Sequence, residues 1–198
     1  MLRGELIGLR ARTNDDIDVF EAEMLNDVEM RVRADGRPYR PIAPGSADSP
    51  YRTVNERADA VPFSVIELAT AELAGEAVMF GIDAHHRNAH LGLGLRPSFR
   101  GRHLGTDIVR VLCRYGFGIR GLHRLQMETL ADNHPMITAA TRSGFTLEGT
   151  LRDYAWVDGH FADAVILAQL VPAGARGAGQ LSAGDRLRAS GSGPARSH

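Results

Sequence analysis

Seven consecutive residues, Arg100-Gly101-Arg102-His103-Leu104-Gly105-Thr106, combine what binding a pyrophosphate requires. Gly101 and Gly105 let an anion approach the main chain closely, while Arg100 and Arg102 add charge and forked N–H donors suited to phosphate oxygens. Downstream, Ile108, Val111, Leu112, Tyr115 and Ile119 recur at helical spacing, so the loop opens a helix. The first N–H groups of a helix have no partner inside it and its dipole is positive there. The loop therefore predicts a pyrophosphate cradle built largely from backbone.

Two common phosphate-binding patterns lose ground, although a nucleotide-binding protein using the same anion cradle stays among the rival readings. A P-loop needs a lysine after its second glycine, and all 23 basic residues of this chain are arginine. A dinucleotide fingerprint needs a third glycine opening the helix, whereas Gly92-x-Gly94 runs into Pro97 before any helix can begin.

The elements that must position the loop are legible on both sides. Leu91, Leu93 and Leu95 alternate with glycine in a short central strand. Before it, Glu5–Arg10 reads as an edge strand, and Thr13 caps a helix over about 14–26 that presents Ile17, Phe20, Met24 and Leu25 on one face. Phe63–Ala69 and Glu72–Asp83 form a hairpin. After the helix, Arg124–Leu130 reads as a strand parallel to the central one, since a helical crossover separates them. Asn133 caps the next helix, which stops at Ser143-Gly144. Thr146–Val157 and His160–Leu170 make a closing hairpin turned at Asp158-Gly159. Residues 27–60, broken by prolines at 38, 41, 44 and 50, give no firm assignment beyond a short helix within Tyr51–Ala60.

This order of motifs resembles the GNAT family of N-acetyltransferases, in its RimJ/RimL-like branch. The resemblance rests first on Arg100, Gly101 and Gly105; the family usually has glycine where this chain has His103. It broadens over Asn133, Ser143-Gly144-Phe145, Glu148-Gly149-Thr150-Leu151-Arg152, Asp158-Gly159 and Asp163. It implies an α/β acyl-CoA N-acyltransferase fold over residues 1–170, with a mixed, strongly twisted sheet of about seven strands and about four flanking helices. It also implies acetyl-CoA as co-substrate, a primary amine as acceptor (a protein N-terminus or a small molecule), and direct attack in a ternary complex. Dimers are common in the family, and nothing in the sequence identifies an interface.

The same resemblance distributes roles. Main-chain groups of Leu93 and Leu95 would hold the acyl arm, with the Leu95 N–H as oxyanion donor, and residues 100–106 (Arg100, Gly101, Arg102, His103, Leu104, Gly105, Thr106) the pyrophosphate. Asn133 would contact pantetheine, although a plain N-cap explains it equally well. Met136 stands where relatives often carry a serine proposed as acid, and cannot donate a proton. His90 is the first candidate base, since an unperturbed imidazole titrates in a suitable range; Tyr154 is the first candidate acid. A structural histidine and an ordinary hairpin tyrosine are the competing readings. Arg31, Arg33, Arg37 and Arg40, in the stretch that walls the acceptor pocket in the family, would suit an acidic acceptor or simply a solvated loop.

Composition narrows the class further. A chain of 198 residues with net charge −1 points away from nonspecific nucleic-acid binding, and no apolar run is long enough to span a membrane. A cytoplasmic location is expected. Cys113, the single cysteine, reads as core rather than nucleophile, and His85, His86 and His90 match no zinc spacing, so no metal is expected. From residue 171 the chain turns Gly-, Ala-, Ser- and Arg-rich and is expected to be disordered. The alternative reading of the whole is a catalytically weak acyl-CoA-binding regulatory or sensor module.

Overall fold

The computed structural model describes residues 1–34 and 38–171. Arg37 and nearly all of the tail expected to be disordered lie outside the described residues.

Eight strands form one sheet in the order β1-β2-β3-β4-β5-β6-β8-β7. They are β1 (Leu2–Arg3), β2 (Ile7–Ala11), β3 (Val61–Glu67), β4 (Leu73–Asp83), β5 (Asn88–Leu95), β6 (Arg124–Leu130), β7 (Thr146–Val157) and β8 (His160–Leu170). Every neighbouring pair is antiparallel except β5 with β6. The count exceeds seven because the short β1 pairs outside β2, so the strand expected at the edge has partners on both sides.

The described helices are α1 (Asn14–Glu23), α2 (Val28–Ala34), α3 (Pro50–Thr53), α4 (Leu104–Cys113) and α5 (His134–Arg142). α1 begins at a reciprocal capping box: the Thr13 hydroxyl accepts from the Asp16 N–H and the Asp16 carboxylate accepts from the Thr13 N–H. It ends three residues earlier than its apolar face suggests, and Met24 and Leu25 are buried beyond its end. α2, within the unassigned stretch, is the additional helix.

α4 lies against the sheet with Leu104, Ile108, Val109, Val111 and Leu112 buried. Its Asp107 carboxylate reaches the start of β2, accepting from Leu6 N–H at 2.7 Å and Ile7 N–H at 3.0 Å. After Cys113 the chain continues as a wider π turn over Arg114–Ile119. The wider turn rotates Ile119 off the apolar face, leaving it 64% exposed although its spacing assigned it to that face. At the β7–β8 turn Asp158 and Gly159 both take positive φ, 48° and 84°, as a two-residue hairpin with right-handed strand twist requires.

Two apolar clusters result. The larger joins α4 to the sheet through residues such as Leu9, Val65, Met79, Leu91, Ile108, Leu112, Leu125 and Leu167. The smaller, Ile17, Phe20, Met24, Leu25 and Tyr51, lies under α1 and α3 on the other face. Among the described residues no helix is long and apolar enough to cross a membrane.

Candidate active site

β5 and β6 pair over only three residues, Asn88, Ala89 and His90 against Arg124, Leu125 and Gln126. Beyond that point each strand follows its outer neighbour, β5 staying with β4 to Leu95 and β6 with β8 to Leu130. A gap opens between them. The Arg96 N–H donates toward β4, to Ala74 O at 3.0 Å. Successive peptide groups of a strand point to opposite edges, so those of Leu95 and Leu93 turn toward the gap. The Leu95 carbonyl accepts from Arg100 Nε at 3.2 Å, which leaves its N–H directed into the opening.

The loop 100–106 lies at the end of this gap. Gly101 and His103 both have positive φ, 76° and 60°, and His103 is the N-cap of α4 without a side-chain capping bond. Histidine is among the residues that tolerate this region, so the chain keeps a glycine-like turn at the position where the family usually has glycine. Among the described residues no turn, capping or side-chain acceptor takes up the N–H groups of Gly101 to Thr106. Such a turn followed by a helix start is an anion-binding concavity, and it fits a pyrophosphate. A Cβ on Gly105 would meet only the Ala139 Cβ, at 3.6 Å.

The two arginines of the loop are engaged elsewhere. Arg100 pairs with Asp27 at 3.0 Å, and Arg102 pairs with Glu67 at 3.2 Å while stacking over the Phe99 ring at 4.7 Å. Both arginine side chains are nearly half exposed, whereas the carboxylates they pair with are largely buried, so a ligand phosphate would have to compete with Asp27 and Glu67 for them. Leu104 is buried in the larger core, and the Thr106 carbonyl accepts from the Ser143 hydroxyl at 3.2 Å, tying α4 to α5.

On the sheet face opposite α4, one carboxylate missed by sequence reasoning stands against the gap. Glu76 on β4 is paired with Gly94 on β5, and a Cβ at Gly94 would lie 3.7 Å from Glu76 Oε1 and 3.0 Å from Met24 Cε. The strands are so close here that a Cβ on Gly75 would meet Gly94 O at 2.2 Å. Arg12, its side chain 1% exposed, holds Glu76 at 2.6 Å. Burial pushes the Glu76 carboxyl above the usual range, with Arg12 and Arg31 pulling against it. Arg12 Nε is a buried donor with no partner among the described residues. Burial likewise raises the Tyr51 phenol, reinforced by the charge of Glu76. The signal in the sequence was a lone charge in the otherwise apolar run Leu73 to Ile82.

The residues assigned to proton transfer are spread along this face. His90 is half-buried at the root of the gap and stacks on Phe80 at 5.4 Å. It is four residues along β5 from Gly94, about 13 Å at strand rise. Tyr154 is 55% exposed on β7, and a hydrogen bond toward Glu128, then the charge of that carboxylate, raises its phenol. Glu128 belongs to the part of β6 that lines the gap. Asn133 uses both ends of its amide within the protein: Nδ2 donates to Thr129 Oγ1 at 2.9 Å and Oδ1 accepts from Met136 N–H at 3.3 Å. Met136 packs against the larger core. The Cys113 thiol is pushed up to about 12 by burial. His86 is occupied by Asp83 at 2.7 Å, and among the described residues no three His, Cys, Asp or Glu side chains converge on a metal position.

Arg33 pairs with Asp132, just before α5, at 2.6 Å, and Arg40 pairs with Asp48 at 3.2 Å. Arg31 and Arg40 line a cavity of about 370 Å³.

Comparison with known proteins places this arrangement. The spermidine N(1)-acetyltransferase of Escherichia coli (strain K12) is 27% identical over 94 residues, 48% of this chain and 50% of that protein, so the match spans about half the length of that relative. A probable N-acetyltransferase of Bacillus subtilis, YjcK, is 24% identical over 169 residues, 85% of this chain and 88% of that protein. The solved structure of spermidine N-acetyltransferase from Vibrio cholerae in complex with CoA and spermine superposes with a TM-score of 0.72 at 21% identity, covering 83% of this chain and 95% of that one. At that identity the likeness is one of fold. The model of the acetyltransferase (GNAT) domain matches residues 7–146, which includes the gap, the loop at its end and Glu76, and the chain belongs to that family.

Proposed function

We propose that the protein is an N-acetyltransferase of the RimJ/RimL-like branch that moves an acetyl group from acetyl-CoA to a primary amine by direct attack in a ternary complex. The observation that carries this reading is the gap between β5 and β6: main-chain groups of Leu93 and Leu95 face into it, the open N–H groups of residues 101–106 end it, and Glu76 stands behind Gly94. With the pyrophosphate at the loop, the pantetheine arm would run along β5. The amine nitrogen attacks the thioester carbon, the new C–N bond forms, and negative charge collects on the carbonyl oxygen, where the Leu95 N–H can donate. The C–S bond then breaks, the nitrogen gives up its remaining excess proton to solvent as the amide forms, and the thiolate departs.

The ammonium proton has to leave first. Glu76 is the carboxylate on β4 opposite Gly94; burial raises its proton affinity while Arg12 pulls toward the charged form, and it takes the part of general base in this reading. His90 is a second candidate, at the root of the gap, and Tyr154 beside Glu128 is the candidate donor to the thiolate.

Glu76→Gln retains size and a hydrogen bond to Arg12 while removing the base. The expected outcome is a fall in kcat of about a hundredfold or more with CoA affinity unchanged, read by thiol release and calorimetry. Unaltered kcat would return Glu76 to a structural part. A second reading, an acyl-CoA-binding sensor, is favoured by Met136 in place of a proton donor and by His103 in the loop. CoA binding without thiol release across a broad amine panel would favour it.

A further inference from the structure

We propose that Arg12 is a positioning residue for the transfer: it stays out of the substrate's reach and holds one oxygen of Glu76 so that the other is presented to the gap beside the Leu95 N–H. This rests on the reading of Glu76 as general base and adds the group that aims it.

Arg12 lies between β2 and α1, and three elements fix its guanidinium. Nη2 donates to Glu76 Oε2 on β4 at 2.6 Å, Nη1 donates to the Tyr51 carbonyl of α3 at 3.3 Å, and the group stands over the Phe20 ring of α1 at 5.3 Å. The side chain is 1% exposed, against 22% for Glu76, so a ligand in the gap meets the carboxylate and not the arginine behind it. Only one carboxylate oxygen is taken. Oε1 lies toward β5, 3.7 Å from where a Cβ on Gly94 would stand, and among the described residues no donor engages it. Gly94 carries no side chain to screen it, and the next peptide nitrogen is that of Leu95. Base and oxyanion donor thus meet at neighbouring positions along β5.

Burying a guanidinium costs free energy that a single ion pair often fails to offset. Arg12 also leaves Nε, a buried donor, without a partner among the described residues. Beside the cluster of Ile17, Phe20, Met24, Leu25 and Tyr51, packing alone would be served better by an apolar side chain. What the arginine adds is a rigid fork and a charge at Glu76. The other groups facing Glu76 come from four elements. Arg31 on α2 acts in the same sense as Arg12, and Tyr51 on α3 is kept a neutral phenol by burial and by Glu76 itself. On β3, Ser64 sits opposite Glu76 and donates to Asp16 of α1, whose charge is met by Arg10; β5 offers only Gly94. Burial raises the proton affinity of Glu76 and the arginines oppose it. Loss of Arg12 therefore raises it further, so activity suffers most in acid and recovers as rising pH restores the carboxylate.

The test uses the full chain, acetyl-CoA and thiol release. The acceptor is the fastest of spermidine, butylamine, ethanolamine, glycinamide and a tripeptide, held fixed across variants so that its own titration cancels. Arg12→Gln is expected to lower kcat about tenfold or more near pH 7, with CoA affinity unchanged by calorimetry, and the deficit should shrink as pH rises. Arg12→Lys, which keeps the charge without the fork, should keep the wild-type pH dependence and restore only part of kcat. In a Glu76→Gln background Arg12→Gln should cost less than about twofold more, because a residue that acts through Glu76 has nothing left to act on. A deficit that is the same at every pH, or equal losses with and without Glu76, overturns the inference while leaving Glu76 as base. Should Arg12→Gln fail to fold, Arg12→Lys in the two backgrounds decides alone, and a loss that persists without the carboxylate overturns the inference. Unaltered kcat in Glu76→Gln, or bound CoA with no thiol release from any acceptor, overturns the underlying reading and this inference with it.

Discussion

On the α4 side of the sheet, contacts are almost entirely apolar: Ile108, Val109, Val111 and Leu112 pack on Leu9, Met79, Leu91 and Leu125, and the groups offered to a ligand are main-chain N–H. On the α1 side the apolar cluster has five members, and the elements are tied down by arginine–carboxylate pairs instead, Arg10–Asp16, Arg12–Glu76, Arg52–Glu21 and Arg96–Glu23. In the proposed transfer the difference follows from what each side would have to hold. A diphosphate is bound well by a rigid backbone that packing keeps fixed. An acceptor site needs charged side chains whose mutual pairing positions them, and such pairs contribute less to stability than buried carbon.

The sharpest way to break this contrast is at the loop. Gly105→Glu places a carboxylate among the N–H groups meant for an anion, so CoA affinity is expected to fall at least a hundredfold by calorimetry. Gly105→Ala is the control, because the added Cβ makes only an ordinary contact with Ala139 and should preserve both fold and affinity. Equal CoA binding by Gly105→Glu would mean that the main chain here holds no phosphate.

How far the sequence foretold each side follows the same division. The α4 side was legible because its determinants are local: glycines with arginines before a helical period, Asn133 before Pro135, Asp158-Gly159 between alternating runs. β6, β7 and β8 fall where those signals put them. On the α1 side the determinants are pairs far apart in the chain. Glu76 reads as a stray charge in a strand until Arg12, 64 residues away, is seen 2.6 Å from it. Arg100 and Arg102 looked open for phosphate because Asp27 and Glu67 are distant in sequence. α2 went unassigned although Asp27 caps it, accepting from the Met30 N–H at 3.1 Å, because the prolines that follow suggest only loop.

Deletions in the two clusters should differ in reach more than in size. Leu112→Ala opens a cavity in the larger core and is expected to lower global stability by about 2–5 kcal/mol, with unfolding by urea remaining a single transition. Met24→Ala removes a similar volume from the smaller cluster. Its cost should appear chiefly as local opening, with faster amide exchange in α1 to α3 and unchanged protection in β6 and β8. Equal loss of protection across the sheet would show that the two clusters unfold as one.

Acid offers the gentlest test, because it weakens ion pairs and leaves carbon packing alone. Burial works to raise Asp16 and Glu21, but hydrogen bonds from Arg10, Thr13 and Ser64 to the first, and from Arg52 and Gly45 to the second, outweigh it and leave both below their ordinary values of 3.8 and 4.5. Glu23 is lowered by its hydrogen bond to Arg96, and Asp27 by the Met30 N–H and, against burial, by Arg100. A carboxylate depressed in the folded protein stabilises it above the unfolded-state value, and that contribution disappears as pH falls through the folded one. The contribution of these four carboxylates to the α1 to α3 region should therefore be full from neutral pH to about 4.5 and be lost progressively below about 4. β6 to β8, where Glu148 with Arg124 is the lowered carboxylate among the described residues, should lose less. Amide exchange corrected for its intrinsic pH dependence reads the two regions separately. Opening of β6 to β8 before α1 to α3 would mean that arginine–carboxylate pairing is not what holds the α1 side in place.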